Sequence, residues 1–169
     1  MNEISSKTDP EWENVFRTEG EGDSSIRRDL GHVGVFSLLT EDELALLELA
    51  VHLRHYLTNE CIIQEGVPQS GFYILSEGSV NVVRDGEVVE ILRPIDVLGE
   101  FGFLDPSPSA LSFYAAEPTK LIGFFKPDLV ELLDTQPEMG CKILLKFSEN
   151  VACLLRESHT NLCDLGYES

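Results

Sequence analysis

Short apolar segments separated by turn residues constrain the fold of this chain more than any other feature. Gly66, Gly71 and Gly78 punctuate the first of them, and runs of this length so close together predict a compact β structure. Arg84-Asp85-Gly86-Glu87 is the strongest hairpin signal, because Asp-Gly supplies the positive dihedrals of a tight primed turn. The predicted strands are 53–57, 61–64, 72–75, 79–83, 88–92, 95–98, 110–116 and 120–125.

Helical patterns flank these strands on both sides. Thr40-Glu41-Asp42-Glu43 is a capping box followed by apolar residues at helical spacing, which predicts a first helix. After Phe125 the helical period returns: Lys126-Pro127-Asp128 opens one helix, and residues 135–138 open a longer one. The fold class is therefore mainly β with flanking helices.

The longer C-terminal helix carries an apolar stripe between charged residues, and such a stripe must be buried against something. One option is packing against its own β structure. The other is pairing with a second copy of the chain, as in a homodimer. The stripe consists of Ile143, Phe147, Val151, Leu154 and Leu155.

Composition bounds the domain count and the class of partner. With 169 residues and 43% hydrophobic content, one domain is the default. A formal net charge of −18 argues against nucleic acid and against anionic membrane surfaces, because both need clustered Lys and Arg. The first residues lack the apolar core of a signal peptide, and no run reaches the roughly 18 apolar residues of a membrane span. We therefore expect a soluble, cytoplasmic protein.

The ends of the chain differ from its centre in composition. Residues 1–29 are polar, acidic and rich in Gly and Ser, which predicts a flexible tail. We expect residues 30–162 to form the domain and residues 163–169 to form a C-terminal tail. Within the first tail, residues 9–16 carry an N-cap, a Pro and three apolar residues on one face. A short docking helix and disorder remain equal alternatives there, because so short a helix is marginal without packing.

Metal and disulfide chemistry find little support. The cysteines lack Cys-x-x-Cys spacing and secretory context, so we expect reduced thiols that behave as small hydrophobes: Cys61, Cys141, Cys153 and Cys163. The histidines show no ligand-like spacing with a Glu, and His52 and His55 fall on opposite faces of a strand. An enzyme of the metal-dependent cupin kind, which shares a β-roll, is therefore disfavoured, and no cofactor is expected.

The stretch from Asp96 to Ala116 carries the site candidates. Gly99-Glu100-Phe101-Gly102 lies between an apolar segment and a Pro- and Ser-rich turn, which predicts a short turn held between two strands. The two glycines let the backbone approach a ligand and leave N–H groups free to point at an anion. A plain tight turn with a solvated Glu is the alternative.

The order of these elements resembles the cyclic-nucleotide-binding domain family, over about residues 33–158. The matching residues are 36–40, 65–75, 77–80 and 96–100. The resemblance implies an eight-stranded double-stranded β-helix, a jelly-roll-like β-roll, with one N-terminal helix and two C-terminal helices. It also implies a non-catalytic regulatory domain related to catabolite-activator-type regulators and to regulatory subunits of cyclic-AMP-dependent kinase.

In this family the pocket is a phosphate-binding cassette. Matched by residue, the resemblance implies that Glu100 would accept the ribose hydroxyl and that N–H groups near Gly99 to Phe101 would face the phosphate. The Arg that pairs with the cyclic phosphate through its planar fork of donors is replaced here by Ser109, followed by Ala110. No Lys, Arg or His lies between Arg93 and Lys120, although Arg84 or Arg93 could reach in from a neighbouring strand. The candidate ligand-binding residues are Gly99, Glu100, Phe101, Ser109 and Ala110.

Two functions remain open. The first is a sensor that binds cyclic AMP or cyclic GMP weakly and signals through its last helix to an effector protein. The second is a degenerate domain that binds no cyclic nucleotide and acts as a protein-interaction module. In both, we expect no direct DNA binding, because the residues after Leu162 are too few for a helix-turn-helix and the chain is acidic.

Overall fold

Eight strands form two antiparallel four-stranded sheets in the computed structural model, which describes residues 24–105 and 107–164. Within those ranges there are five α-helices and one 3₁₀ turn. The helices are α1 (Ser24–His32), α2 (Glu41–Ala50), α3 (Glu100–Leu104), α4 (Lys126–Thr135) and α5 (Pro137–Asp164), with the 3₁₀ turn at Gly34–Phe36. The strands are β1 (His52–Tyr56), β2 (Cys61–Ile63), β3 (Gly71–Glu77), β4 (Val80–Arg84), β5 (Glu87–Leu92), β6 (Val97–Leu98), β7 (Ser112–Ala115) and β8 (Thr119–Phe125).

The two sheets have the strand orders β1-β8-β3-β6 and β2-β7-β4-β5, so strands distant in sequence lie side by side. This is the β-roll predicted from the sequence, and all eight predicted strands are present. The predicted hairpin is also present, since Arg84 pairs with Glu87. Its two central residues have positive φ, 53° at Asp85 and 82° at Gly86, as a primed turn requires.

Strand β3 separates two hydrophobic cores, because both of its faces are buried. Tyr73 and Leu75 face the interior of the roll, where they meet residues of the second sheet such as Val82. Phe72 and Ile74 face the opposite way and pack under the helices. A strand buried on both sides is a continuous apolar run, which explains why Phe72 to Leu75 shows no polar alternation.

The N-terminal helices cover the helical side of this sheet. The predicted capping box of α2 is present: Glu43 N–H donates to Thr40 Oγ1 at 3.3 Å, and Thr40 N–H donates to the Glu43 carboxylate at 2.7 Å. Residues 24–29, which the sequence assigns to the tail, form the first turns of α1. They pack because Ile26 and Leu30 are buried, and buried Asp29 accepts a 2.7 Å hydrogen bond from Ser76 Oγ. The predicted helix at residues 9–16 lies outside the described residues.

The long helix α5 divides its apolar residues between core and surface. Met139, Ile143 and Phe147 are buried under the roll. Leu145 and Leu155 are 54% and 66% exposed. Packing against its own β structure therefore accounts for only part of the predicted stripe. Helix α5 also continues to Asp164, beyond the predicted domain boundary at residue 162.

None of the helices that the structure describes has the length and apolar character needed to cross a lipid bilayer.

Candidate ligand site

Three segments come together around the predicted site residues: the β2–β3 loop (64–70), helix α3, and the segment 107–111 before β7. The loop and the last segment are joined by backbone hydrogen bonds. Gly66 N–H donates to the Ser109 carbonyl at 2.8 Å, and Ser109 N–H donates to the Val67 carbonyl at 3.1 Å. A bridge between Pro68 and Pro108 extends this pairing. Main-chain hydrogen bonds thus hold the β2–β3 loop against segment 107–111, although the two are distant in sequence.

The predicted turn at 99–102 is wrong in part, because Glu100 to Leu104 form the short helix α3. Gly99 precedes it with φ of 84°, and a Cβ there would lie 3.0 Å from Ile63 Cδ1 and 3.2 Å from the Gly71 carbonyl oxygen. Gly102 lets α3 approach the loop so closely that an added Cβ would meet Gln69 Cβ. The two glycines therefore seat the helix against β3 and the loop.

Glu100 begins α3 and is partly buried. Burial raises the pKa of its carboxyl above the ordinary value of 4.5, and no other cause contributes. No described residue hydrogen-bonds to this carboxylate. The site thus contains a partly buried carboxylate that accepts no hydrogen bond from the described residues.

Ser109 uses its polar groups within the fold. Its hydroxyl donates to the Leu111 carbonyl at 2.7 Å and accepts from Leu111 N–H at 3.3 Å. Its backbone groups are paired with the β2–β3 loop, as described above. Ala110 follows it and is exposed. Phe101 lies within α3, and its side chain is outside the described part of the structure.

Lys126 adjoins the β2–β3 loop, because its N–H donates to the Ser70 carbonyl at 2.8 Å. Segments 64–70 and 99–111 contain no Lys, Arg or His. Arg84 and Arg93 are exposed, at the β4–β5 turn and after β5. Arg54 pairs with Leu121, which belongs to the core inside the roll. Its guanidinium lies 5.7 Å from the centre of the Phe125 ring, a cation–π arrangement.

Helix α3 is coupled to α5 through an aromatic contact that the sequence did not suggest. Phe103 stacks on Phe147 of α5 with ring centroids 5.0 Å apart and planes at 17°. Phe72 of β3 meets both rings edge-on, at 5.3 Å each. The only sequence signal was a large apolar side chain beside a Gly-x-x-Gly turn, which a solvated turn would not require.

The sequence disfavours a metal site and predicts that the cysteines are reduced thiols that behave as small hydrophobes. The described residues contain no group of His, Cys, Asp and Glu that could hold a metal ion. Cys61, Cys141 and Cys153 are exposed, so the prediction that they pack as small hydrophobes is wrong. The side chain of Cys163 lies outside the described part.

Comparison with known proteins agrees with this arrangement. Residues 53–136 match the family model of the cyclic nucleotide-binding domain. A curated relative, the CRP-like cAMP-activated global transcriptional regulator of Mycobacterium tuberculosis, is 24% identical over 141 residues, which cover 80% of this chain. The match spans 61% of that regulator, so this chain corresponds to only part of it.

Solved structures show the same fold. A cyclic nucleotide-binding domain from Methylobacillus flagellatus superimposes with a TM-score of 0.70 at 20% identity, covering 86% of this chain and 84% of that one. The Thermus thermophilus Catabolite Activator Protein gives a TM-score of 0.69 at 25% identity, covering 79% of this chain and 63% of that one. Residues 53–136, about half of the chain, accordingly form a cyclic nucleotide-binding domain with the roll described above.

Proposed function

We propose that this chain is a non-catalytic regulatory protein that receives a small ligand at the site between the β2–β3 loop, α3 and segment 107–111. The signal passes through α5 to a partner protein. Cyclic AMP or cyclic GMP binds weakly at most, because the Arg that the family resemblance implies is replaced by Ser109. The net charge of −18 favours a protein over DNA as the partner that receives the signal.

The contact between Phe103 and Phe147 carries this proposal. It joins the short helix at the site directly to the longest helix of the molecule. Packed aromatic rings cannot slide past one another continuously, so a displacement of α3 is passed on to α5. A ligand that contacts α3 thereby has a physical route to the surface of α5.

We further propose that α5 mediates homodimerisation. Exposed residues recur along it at alternating spacings of four and three, as in a coiled-coil seam. Two of them are large aliphatic side chains that the roll leaves uncovered. The seam consists of Cys141, Leu145, Ser148, Ala152 and Leu155.

The interaction module remains the second candidate, because one observation favours it. The hydroxyl of Ser109 is bound to Leu111 and cannot replace a guanidinium as the partner of a phosphate. Loss of a hydrogen bond to a charged group costs about 1.5–3 kcal/mol, roughly tenfold to a hundredfold in affinity. A domain with this loss of phosphate affinity can still function through its contacts with other proteins.

Titration with cyclic AMP and cyclic GMP, followed by melting temperature, tests the two functions. A shift at micromolar cyclic nucleotide supports a strong cyclic-nucleotide sensor, and a shift only at millimolar concentration supports the weak binding proposed here. Replacing Ser109→Arg should strengthen binding of the cyclic nucleotide, because it restores a cation beside the phosphate. Ser109→Ala is the matched control. Unchanged binding in Ser109→Arg would contradict the assignment of residue 109 to the cassette.

A further inference from the structure

Strand β5 is an open edge of the second sheet. The strand order β2-β7-β4-β5 places it at the end of that sheet, and among the described residues it pairs only with β4. Its other edge therefore presents backbone N–H and C=O groups that a further strand can pair with. With 6 residues it is the longest of the four edge strands, since β1, β2 and β6 have 5, 3 and 2.

Most devices that block pairing at a sheet edge are missing from this strand. Residues 87–92 contain no Pro and no Lys. The device that is present is a β-bulge, since Val82 pairs with Glu90 and the next residue, Val83, pairs with Val88. One residue of β5 is therefore left over between these two pairs. The bulge shifts the alternation of side chains along β5 by one position.

The shifted alternation gives β5 one apolar face. Residues directly opposite each other in an antiparallel pair point to the same face of the sheet. Val88 lies opposite Val83 and Ile91 lies opposite Asn81, and residues 81 and 83 share a face of β4. Val88 and Ile91 therefore lie on one face, and their side chains are 54% and 52% exposed. Two large apolar residues thus stand uncovered beside unpaired backbone groups.

The other face of β5 is acidic. Glu87 lies opposite Arg84, and Glu90 lies opposite Val82, which is buried inside the roll. Both glutamates are exposed. Arg84 stands beside Glu87 at the hairpin turn, whereas Glu90 has an apolar side chain opposite it. The centre of the open edge is therefore apolar on one face and negatively charged on the other.

We propose that β5 binds an extended segment of a partner protein, which adds a strand to the sheet and carries alternating apolar and basic residues. Its apolar side chains lie beside Val88 and Ile91, and its basic side chains lie beside Glu87 and Glu90. This surface is separate from the ligand site and from α5, so the proposal goes beyond the function proposed above and does not depend on it.

Charge disfavours two other occupants of this edge. A second copy of β5, related by a two-fold axis, keeps each face on its own side, so the glutamates of the two copies would face one another. Residues 1–23 of the chain, which lie outside the described structure, contain more acidic than basic residues. A basic segment of another protein is the occupant that the charges of β5 attract.

Binding of a labelled synthetic peptide to the full chain tests the proposal. The peptide has about eight residues of alternating Lys and Val, and fluorescence anisotropy measures its binding at about 0.15 M ionic strength. A peptide of the same composition, with Lys and Val in successive pairs, should bind at least about tenfold more weakly, because it cannot place its apolar side chains on one face. Hydrogen exchange of residues 87–92 should slow on binding, because N–H groups at the edge become donors to the peptide.

A reversal of charge tests the acidic face. Glu87→Lys combined with Glu90→Lys should weaken binding of the Lys–Val peptide at least about tenfold and should bind the corresponding Glu–Val peptide instead. Glu131→Lys combined with Asp134→Lys is the matched control, because it changes the net charge equally at exposed positions on α4. It should change binding of the Lys–Val peptide by less than about twofold, since distant surface charges are screened.

Several results would overturn the proposal. Equal binding of the alternating and paired peptides, or unchanged hydrogen exchange in residues 87–92, would mean that net charge alone attracts the peptide. Absence of binding at about millimolar peptide would also contradict it, whereas the titrations with cyclic nucleotide would be unaffected. If Val88→Lys combined with Ile91→Lys converts a wild-type dimer to monomers, the occupant is a second copy. Should the glutamate variant unfold, the peptide comparison on the wild-type chain still decides the question.

Discussion

Burial raises the pKa of Glu100, and this one residue therefore makes the stability of the fold depend on pH. The native state holds the proton to a higher pH than the unfolded chain, so stability falls as pH rises from 4.5 through the raised pKa. At neutral pH the buried charge destabilises the fold. Glu100→Gln should therefore melt at a higher temperature than wild type at neutral pH, and the difference should shrink as the pH falls through the raised pKa towards 4.5.

Thermal melts across pH, with Glu87→Gln as the exposed control, check this expectation. A Glu100→Gln variant that is less stable than wild type at neutral pH would mean that the carboxylate has a stabilising partner.

Gly99 and Gly86 offer a matched pair at the same scale. Their φ values are nearly equal, 84° and 82°, but a Cβ at Gly99 meets Ile63 and Gly71 whereas one at Gly86 meets nothing. Alanine at Gly86 should cost about 1–2 kcal/mol from the left-handed backbone alone. Alanine at Gly99 should cost roughly 1–3 kcal/mol more, because it also overpacks the contact below α3. Urea denaturation of both variants measures the difference, and equal losses would mean that the space below Gly99 can adjust.

Residue patterns predicted the location of the candidate site but not its internal bonding. Gly99 and Glu100 stood out because glycines and an acid interrupt apolar segments. The pairing of Ser109 with Leu111 and the β2–β3 loop could not be predicted, because it depends on a tertiary approach of segments about forty residues apart. The positive φ of Ile95, 81°, carries no sequence signal either, since β-branched residues rarely adopt it.

At the scale of elements, the contact between α3 and α5 is the critical one. Phe147→Ala would leave a cavity beside the Phe103 and Phe72 rings, both of which contact Phe147. Such truncations in a core cost about 3–5 kcal/mol. Leu49→Ala on α2, where the side chain is 74% exposed and outside the seam, should change stability by less than about 0.5 kcal/mol. Urea denaturation measures both, and similar losses in the two variants would contradict the burial of Phe147 in the core.

The elements differed in how well the sequence predicted them. Strands β1 to β8 followed from apolar runs between turn residues, and α2 from its capping box. Helix α3 was missed because its 5 residues are too few to show a helical period. Helix α1 was missed because its polar residues hide the burial of Ile26 and Leu30, which only packing against the other helices provides.

At the scale of the whole molecule, the exposed seam of α5 predicts a dimer. Leu145→Glu combined with Leu155→Glu places charges at two exposed seam positions and should convert the dimer to a monomer. Sedimentation velocity at micromolar chain concentration measures the change. Leu49→Glu on α2, where the side chain is 74% exposed, is the control and should stay dimeric. A monomeric wild-type chain would contradict the seam.

The stack of Phe103 on Phe147 has a thermodynamic consequence for this assembly. Coupling between two binding events is reciprocal, so the factor by which occupancy of the roll changes assembly of α5 equals the factor by which assembly changes occupancy. Under the proposed function, a partner bound to α5 therefore changes the affinity of the site for its ligand. Such a chain would respond at different concentrations of the same small molecule according to which partner is bound to α5.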